Sequence, residues 1–283
     1  MAVSAGNISE KSKKKALLLA ASVLLILLYL PVVHKLAKQW LNDPNYRHGL
    51  LIPVVLIFLV RRKWDIIKEK SPYRSSPAAA FILLAVASML LIGGTAASEL
   101  FTSRLSLVLF IIGTLILLAG PGLIRILASE SALLFLMIPL PYIIYYRLTF
   151  PLQLLSARLS SVILKALQLS VIRKGNIIVL PKYTLEVVAA CSGLRSLLTM
   201  VTLGVIMAAA ASYSAGRKIL LVACSVPVAV AANTFRLVVT ALGAQLAGPD
   251  FADGILHQIS GLMVFGSGLA MLLIINWVLK WKK

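Results

Sequence analysis

Charge is scarce in this sequence. Only 13% of its 283 residues are Asp, Glu, Lys or Arg, against 60% that are hydrophobic, and a soluble domain, with roughly a quarter of its residues charged, is excluded. Apolar–polar alternation over segments of about ten residues is lacking as well, which rules out a transmembrane barrel and leaves helices as the way to satisfy backbone groups in hydrocarbon. Acidic residues number 9 against 28 basic ones, giving a net charge of +19. The Lys and Arg residues gather in short segments beside apolar runs, with no basic stripe carrying interleaved aromatics, so nucleic acid is not an expected partner. Two cysteines, Cys191 and Cys224, make no disulfide framework. Three scattered histidines and no HExxH spacing leave no metal-ligand set. A Gly-rich phosphate loop and a GxSxG elbow are also missing, and no cofactor is expected.

What the chain does have is apolar runs, at about 16–33, 49–60, 78–94, 105–119, 132–146, 191–212, 219–237 and 255–277. They predict an all-α membrane protein: one multi-pass domain over 1–283, a bundle of about eight transmembrane helices in a plasma (inner) membrane. Lys11, Lys13, Lys14 and Lys15 place the basic tail 1–15 in the cytoplasm, and the apolar run behind them reads as a retained first helix because no small-residue cleavage site follows. The segment RRKWDIIKEKSPYR, 61–74, is the most basic loop and is expected on the cytoplasmic side. Residues 40–48 and 98–104 then turn outside. Pro139 and Pro141 are expected to kink the fifth span, since each removes a helix donor. Residues 150–172 are too polar for a lipid-facing span and suit a helix at the interface or packed against the bundle. Two β-branched runs, 175–180 and 183–190, read as a short β-hairpin outside the hydrocarbon, leading into Cys191. An even span count brings the C-terminal lysines back to the cytoplasm.

In that topology Cys191 opens the sixth span, Arg236 ends the seventh and His257 begins the eighth, all toward the outer face. A thiol attacks as its thiolate, which nearby cations and a helix N-terminus favour. His257 can protonate a departing amine or pair with the thiolate. Arg236 stays charged, so it acts electrostatically on the thiolate or an oxyanion, or else anchors to headgroups. Asn233, on the same helix face, can hydrogen-bond Arg236 or donate to the oxyanion. Arg195 can hold a substrate carboxylate or stabilise its own helix turn. Asp253 either orients His257 or is a favourable helix-start charge. His48 is either an interfacial loop residue or faces substrate.

At these residues the sequence resembles the exosortase/archaeosortase family of membrane cysteine transpeptidases. AACSGLRSLL at 189–198 carries the resemblance most strongly, followed by Asn233-Thr234-Phe235-Arg236 and by His257 with Gly261. The segment Asp43-Pro44-Asn45-Tyr46-Arg47-His48-Gly49 is similar to a family motif, with Arg47 where Ser is common; Pro139-Leu140-Pro141 and Leu152-Gln153 also fit. The similar region runs from about residue 40 to 280. The family's Cys, Arg and His carry over to Cys191, Arg236 and His257, and His257 matches the bacterial type. The resemblance implies membrane-anchored protein substrates with a C-terminal sorting signal: a short motif such as Pro-Glu-Pro, a membrane helix and a basic tail. Cys191 would form a thioester and a second nucleophile, from a lipid or glycan, would resolve it. Two other classes stay open, a transporter or lipid carrier and an accessory subunit of exopolysaccharide export, although the internal repeats common in carriers are missing.

The topology is checked by cysteine-accessibility labelling: a cysteine at position 257 is expected to react with a membrane-impermeant reagent from outside, and reaction only from the cytoplasm would overturn it.

Overall fold

The computed structural model describes residues 27–70, 76–187, 193–248 and 257–281, apart from the side chains of Lys70, His257, Gln258 and Ser260. In chain order the elements are α1 (27–42), a 3-10 turn (Arg47–Leu50), α2 (Leu51–Arg62), α3 (Trp64–Lys70), α4 (Pro77–Ala96) and α5 (Leu100–Ala119). Then come α6 (Pro121–Ile126), α7 (Ala128–Leu136), α8 (Tyr142–Ala166), β1 (Ile172–Lys174), β2 (Ile177–Val179) and β3 (Thr184–Glu186). The last three helices are α9 (Leu194–Ala210), α10 (Ala215–Ala247) and α11 (His257–Trp281). The chain divides into two compact units, residues 1–50 with 72–124, and 51–71 with 125–283.

In the first unit, Tyr29, Val32, Leu36 and Trp40 are buried, and their spacing of three and four puts them on one face of α1. Tyr29 and Val32 pack with Leu91 of α4 and with Leu107 and Phe110 of α5. Helices α4 and α5 form an antiparallel hairpin held at close range by small residues: a Cβ on Gly94 would lie 2.6 Å from Ser103 Oγ, and one on Gly113 3.1 Å from Leu84. Glu99 caps α5 by accepting the backbone N–H of Phe101 at 3.0 Å and of Thr102 at 2.6 Å. Partial burial raises its carboxyl, but the bonds from Thr102 and Phe101 and the field of Arg104 outweigh this and hold it below its ordinary value. The turn after α1 is packed, not a solvated tether: Trp40 and Tyr46 are buried, and the Trp40 ring covers the hydrogen side of Gly49.

In the second unit the pair Pro139 and Pro141 does more than kink a span. Two missing donors one residue apart, with Ile138 and Leu140 pushed out of the helical region by the prolines behind them, end α7 at Leu136 and delay α8 to Tyr142. The expected fifth span is therefore two helices, and its second half is continuous with the polar segment that follows. Packing against the bundle accounts for part of that polarity: Ser156, Ser160 and Ser161 are buried and α8 packs on α10, while Arg158, Lys165 and Gln168 are exposed.

The expected hairpin is a three-stranded antiparallel meander, with Ile172 paired to Val179 and Ile177 to Glu186. The additional strand β1 begins at Ile172, the last residue of the expected helix, because Gly175, at φ +62°, lets the chain turn back tightly before Ile177. The last residues of the expected second run, 188–190, lie outside the described residues. Ile178, Leu180, Leu185 and Val187 share a core with Ala157 and Leu164 of α8 and Leu237, Val238 and Ala241 of α10.

Helix α10 runs well past the expected end of its span and stops at Gly248, whose φ of +95° suits a residue without a Cβ. Arg236 thus sits inside the helix and not at its end. Part of the basic 61–74 segment is helical too: α3 starts with Asp65 in its first turn, and Lys68 Nζ lies 5.6 Å from the Trp64 ring centroid one turn back. Among the described residues four helices are long and apolar enough to cross a membrane, α4, α5, α10 and Gly261–Trp281 of α11. Helix α9 is apolar but shorter, as are α2 and α7; the described part of α1 leaves out the start of the first expected span.

An ion pair in the second unit is buried on its acidic side. Lys63 Nζ lies 2.7 Å from Glu130 Oε1, donates to Oε2 at 2.9 Å and to the Ile126 carbonyl at 3.0 Å; Glu130 is 2% exposed. Glu130→Ala strands the lysine and is expected to cost about 3–5 kcal/mol, read as a lower unfolding midpoint in detergent. Glu99 behaves differently. Because its folded pKa is depressed, its contribution is present above the unfolded carboxylate range and lost as pH falls through the folded value. Glu99→Ala should remove about 1 kcal/mol near neutral pH and progressively less in acid.

Candidate active site

Helix α9 begins behind Gly193, which adopts a left-handed φ of +88°. A side chain there would be strained in backbone terms and would also collide with α10, since its Cβ would lie 2.9 Å from Asn233 Nδ2 and 3.0 Å from Cγ. The turn is closed by bonds to the Gly193 carbonyl from the Leu197 N–H and the Ser196 hydroxyl, both at 2.8 Å. Asn233 is 1% exposed and is itself fixed from a third helix, because its Nδ2 donates to Ser156 Oγ of α8 at 3.1 Å. The chain Ser156–Asn233–Gly193 therefore locks the turn that directly follows the Cys191-Ser192 pair.

A cleft of about 90 Å³ opens beside this turn, lined by Gly193, Arg195, Asn233 and Arg236 and closed by Gly261 and Phe265 of α11 among others. Three of the expected site residues, Arg195, Asn233 and Arg236, thus come together. Asn233 and Arg236 do so because a spacing of three puts them on one helix face. Two guanidinium groups and the N-terminal end of α9 make the cleft electropositive. Cys191 and Asp253 lie outside the described residues, and so does the side chain of His257, whose backbone begins α11. Sequence still constrains two of them: Cys191 is two residues before one lining residue, and His257 is one helical turn before another, Gly261. His48 belongs to the first unit, half-buried, with its ring 6.3 Å from that of Tyr46. Cys224 is a free thiol inside α10.

The glycines of α11 differ in their surroundings. A Cβ on Gly268 would come within 2.7 Å of Met200 Sδ, so this glycine is internal packing between α11 and α9. Gly261 and Gly266 would have nothing within 4 Å. Sequence alone does not mark Ser156 as a site residue. Its signal was a serine in a polar stretch whose helix had no evident partner.

A sequence profile of the transmembrane exosortase family (Exosortase_EpsH) matches residues 40–274. The chain belongs to this family. No curated protein and no solved structure matches it. The matched region takes in parts of both units, holds every lining residue of the cleft and starts at Trp40, so the motif around His48 lies within it. Membership makes the chain a transmembrane protein of exosortase type, and the apolar helices agree.

Gly193→Ala is expected to destabilise by at least ~1–2 kcal/mol through its backbone conformation alone. Gly266→Ala, mid-helix and facing open space, should instead be neutral or stabilise by up to ~1 kcal/mol. Unfolding midpoints of the two variants in one detergent check the contrast.

Proposed function

We propose that the chain is a membrane cysteine transpeptidase that cleaves C-terminal sorting signals of exported, membrane-anchored proteins. The observation that carries this reading is the cleft in which Arg236 and Asn233 meet the turn following Cys191 and the first turn beyond His257. The family match supports the reading.

In the proposed reaction the Cys191 thiolate, favoured by the positive end of α9 and the guanidinium groups, adds to the peptide carbonyl carbon. Arg236 stabilises the oxyanion as the C–N bond stretches. Asn233 donates to Ser156 and abuts Gly193, so it is a positioning residue for the Gly193 turn. His257 delivers a proton to the departing amine, which leaves with the membrane helix and basic tail, and Cys191 is left as a thioester. An acceptor nucleophile, from lipid, glycan or water, then attacks the thioester carbonyl and returns the thiol. Arg195, exposed at the edge of the cleft, suits a carboxylate of the recognition motif. Asp253 is proposed to orient His257, and His48 to face substrate. Eight crossings, cytoplasmic termini and an outward-facing cleft complete this reading.

Co-expression with a tagged substrate carrying Pro-Glu-Pro, a membrane helix and a basic tail tests it. Wild type is expected to give a shortened or mass-shifted product and Cys191→Ala none. Arg236→Lys should slow processing by roughly a hundredfold or more. Processing retained by Cys191→Ala, with other proteases excluded, would sink the assignment.

A further inference from the structure

The first unit has a charged site of its own. Arg104 stands one turn into the apolar helix α5 and is only 3% exposed, and its Nε is buried with no hydrogen-bond partner among the described residues. An arginine inside a membrane helix is costly and usually faces a cavity where its charge is used. Here it lines two adjoining cavities. One, of about 110 Å³, lies between α1 and the α4–α5 turn, with Lys35, Glu99 and Ser103. The other, of about 460 Å³, opens along the end of α1, with Lys38, Gln39 and Asp43. Arg104, Lys35 and Leu100 are common to both.

The charges around the two cavities are Lys35, Lys38 and Arg104 against Asp43 and Glu99. Both carboxylates already accept backbone N–H groups: Asp43 from Asn45 at 2.9 Å, Glu99 from Phe101 and Thr102. The net excess is therefore positive, and the buried guanidinium edge is a donor awaiting an acceptor. Position along the helices sets the level of the site. The two lysines follow directly on the apolar run of α1, and Glu99 and Arg104 flank the start of α5, so the cavities sit where hydrocarbon gives way to headgroups. Pro31, Val32 and a 43% exposed Leu100 supply apolar walls.

We propose that these cavities bind the phosphate of an anionic phospholipid headgroup, with Arg104 and Lys35 as ligands and Lys38 at the mouth. Cations arriving from two helices suit a tetrahedral phosphodiester, which offers oxygens on several sides; a planar carboxylate offers one edge. The acyl chains run down the exposed apolar face of α1, where Leu27, Leu28 and Leu30 are more than half exposed.

The test uses the full chain, purified in neutral detergent and stripped of lipid. Native mass spectra and unfolding midpoints are recorded with added dioleoylphosphatidylglycerol, dioleoylphosphatidylcholine, inorganic phosphate or a short Pro-Glu-Pro peptide. Phosphatidylglycerol is expected to bind tightest and raise the midpoint. The double variant Lys35→Gln/Lys38→Gln, at exposed positions that leave the fold intact, should weaken it about tenfold or more, and Arg104→Gln further. Equal binding by wild type and the double variant overturns the site. A full effect from inorganic phosphate alone reassigns it to a free anion and overturns the lipid, and displacement of lipid by the peptide reassigns it to a substrate carboxylate.

Discussion

The second unit depends on how near helix backbones can come to one another. In hydrocarbon there is no hydrophobic drive to bring helices together, so contact rests on packing, and packing on the absence of side chains at the crossing points. Gly204 of α9 meets Ser225 of α10 so closely that a Cβ there would overlap the serine hydroxyl. Gly268 of α11 meets Met200 of α9, and Gly193 meets Asn233. These contacts place glycines where α9 meets α10 and α11, while α10 is the helix on which α8, α9 and α11 all pack. The cleft occupies the end of this arrangement and inherits its geometry.

Polar groups in the second unit meet a second constraint, that burial in an apolar setting without a bond is costly, although Thr202 and Thr234 are buried with no side-chain bond among the described residues. Many of the serines and threonines satisfy it locally by donating to a carbonyl one turn back: Thr149 to Tyr145 at 2.7 Å, Ser267 to Met263 at 2.7 Å, Thr199 to Arg195 at 2.9 Å. Asn233 differs. Its amide reaches across to Ser156 of another helix, and a group that forgoes the cheap local solution is one whose position matters to something else. That contrast is independent of any view of the reaction.

Where chemistry is encoded by short-range pattern, the sequence can be read. Charge at the ends of apolar runs locates the α4–α5 hairpin, and the three-residue spacing of Asn233 and Arg236 puts both in one cleft with the turn after Cys191. Other features depend on long-range competition that spacing does not express. Pro139 and Pro141 each look like a kink, but together they leave no helical residue between them, and α8 takes over the stretch behind. A serine-rich helix looks interfacial until the partner of Ser156 is known. The end of α10 is invisible in hydropathy alone, because residues after Arg236 are as apolar as those before it; of these, Leu237, Val238 and Ala241 are buried against the β-meander and α8. The Arg104 cavity was hidden for a different reason, since one arginine near a helix start reads as an ordinary boundary charge.

The length of α10 has a further consequence. Thirty-three residues of helix measure about 50 Å, against a hydrocarbon layer of about 30 Å, so an untilted α10 projects from the lipid as a rigid post. The meander and the end of α8 are bolted to the projecting part through Leu237, Val238 and Ala241, and Arg236 stands at its foot. On the proposed function, a reactive centre mounted on such a post would have a fixed height above the lipid. A chain threaded through the bilayer beside it would then be met at a set number of residues from its own membrane segment, which would make the molecule a gauge of distance before it is a reader of sequence.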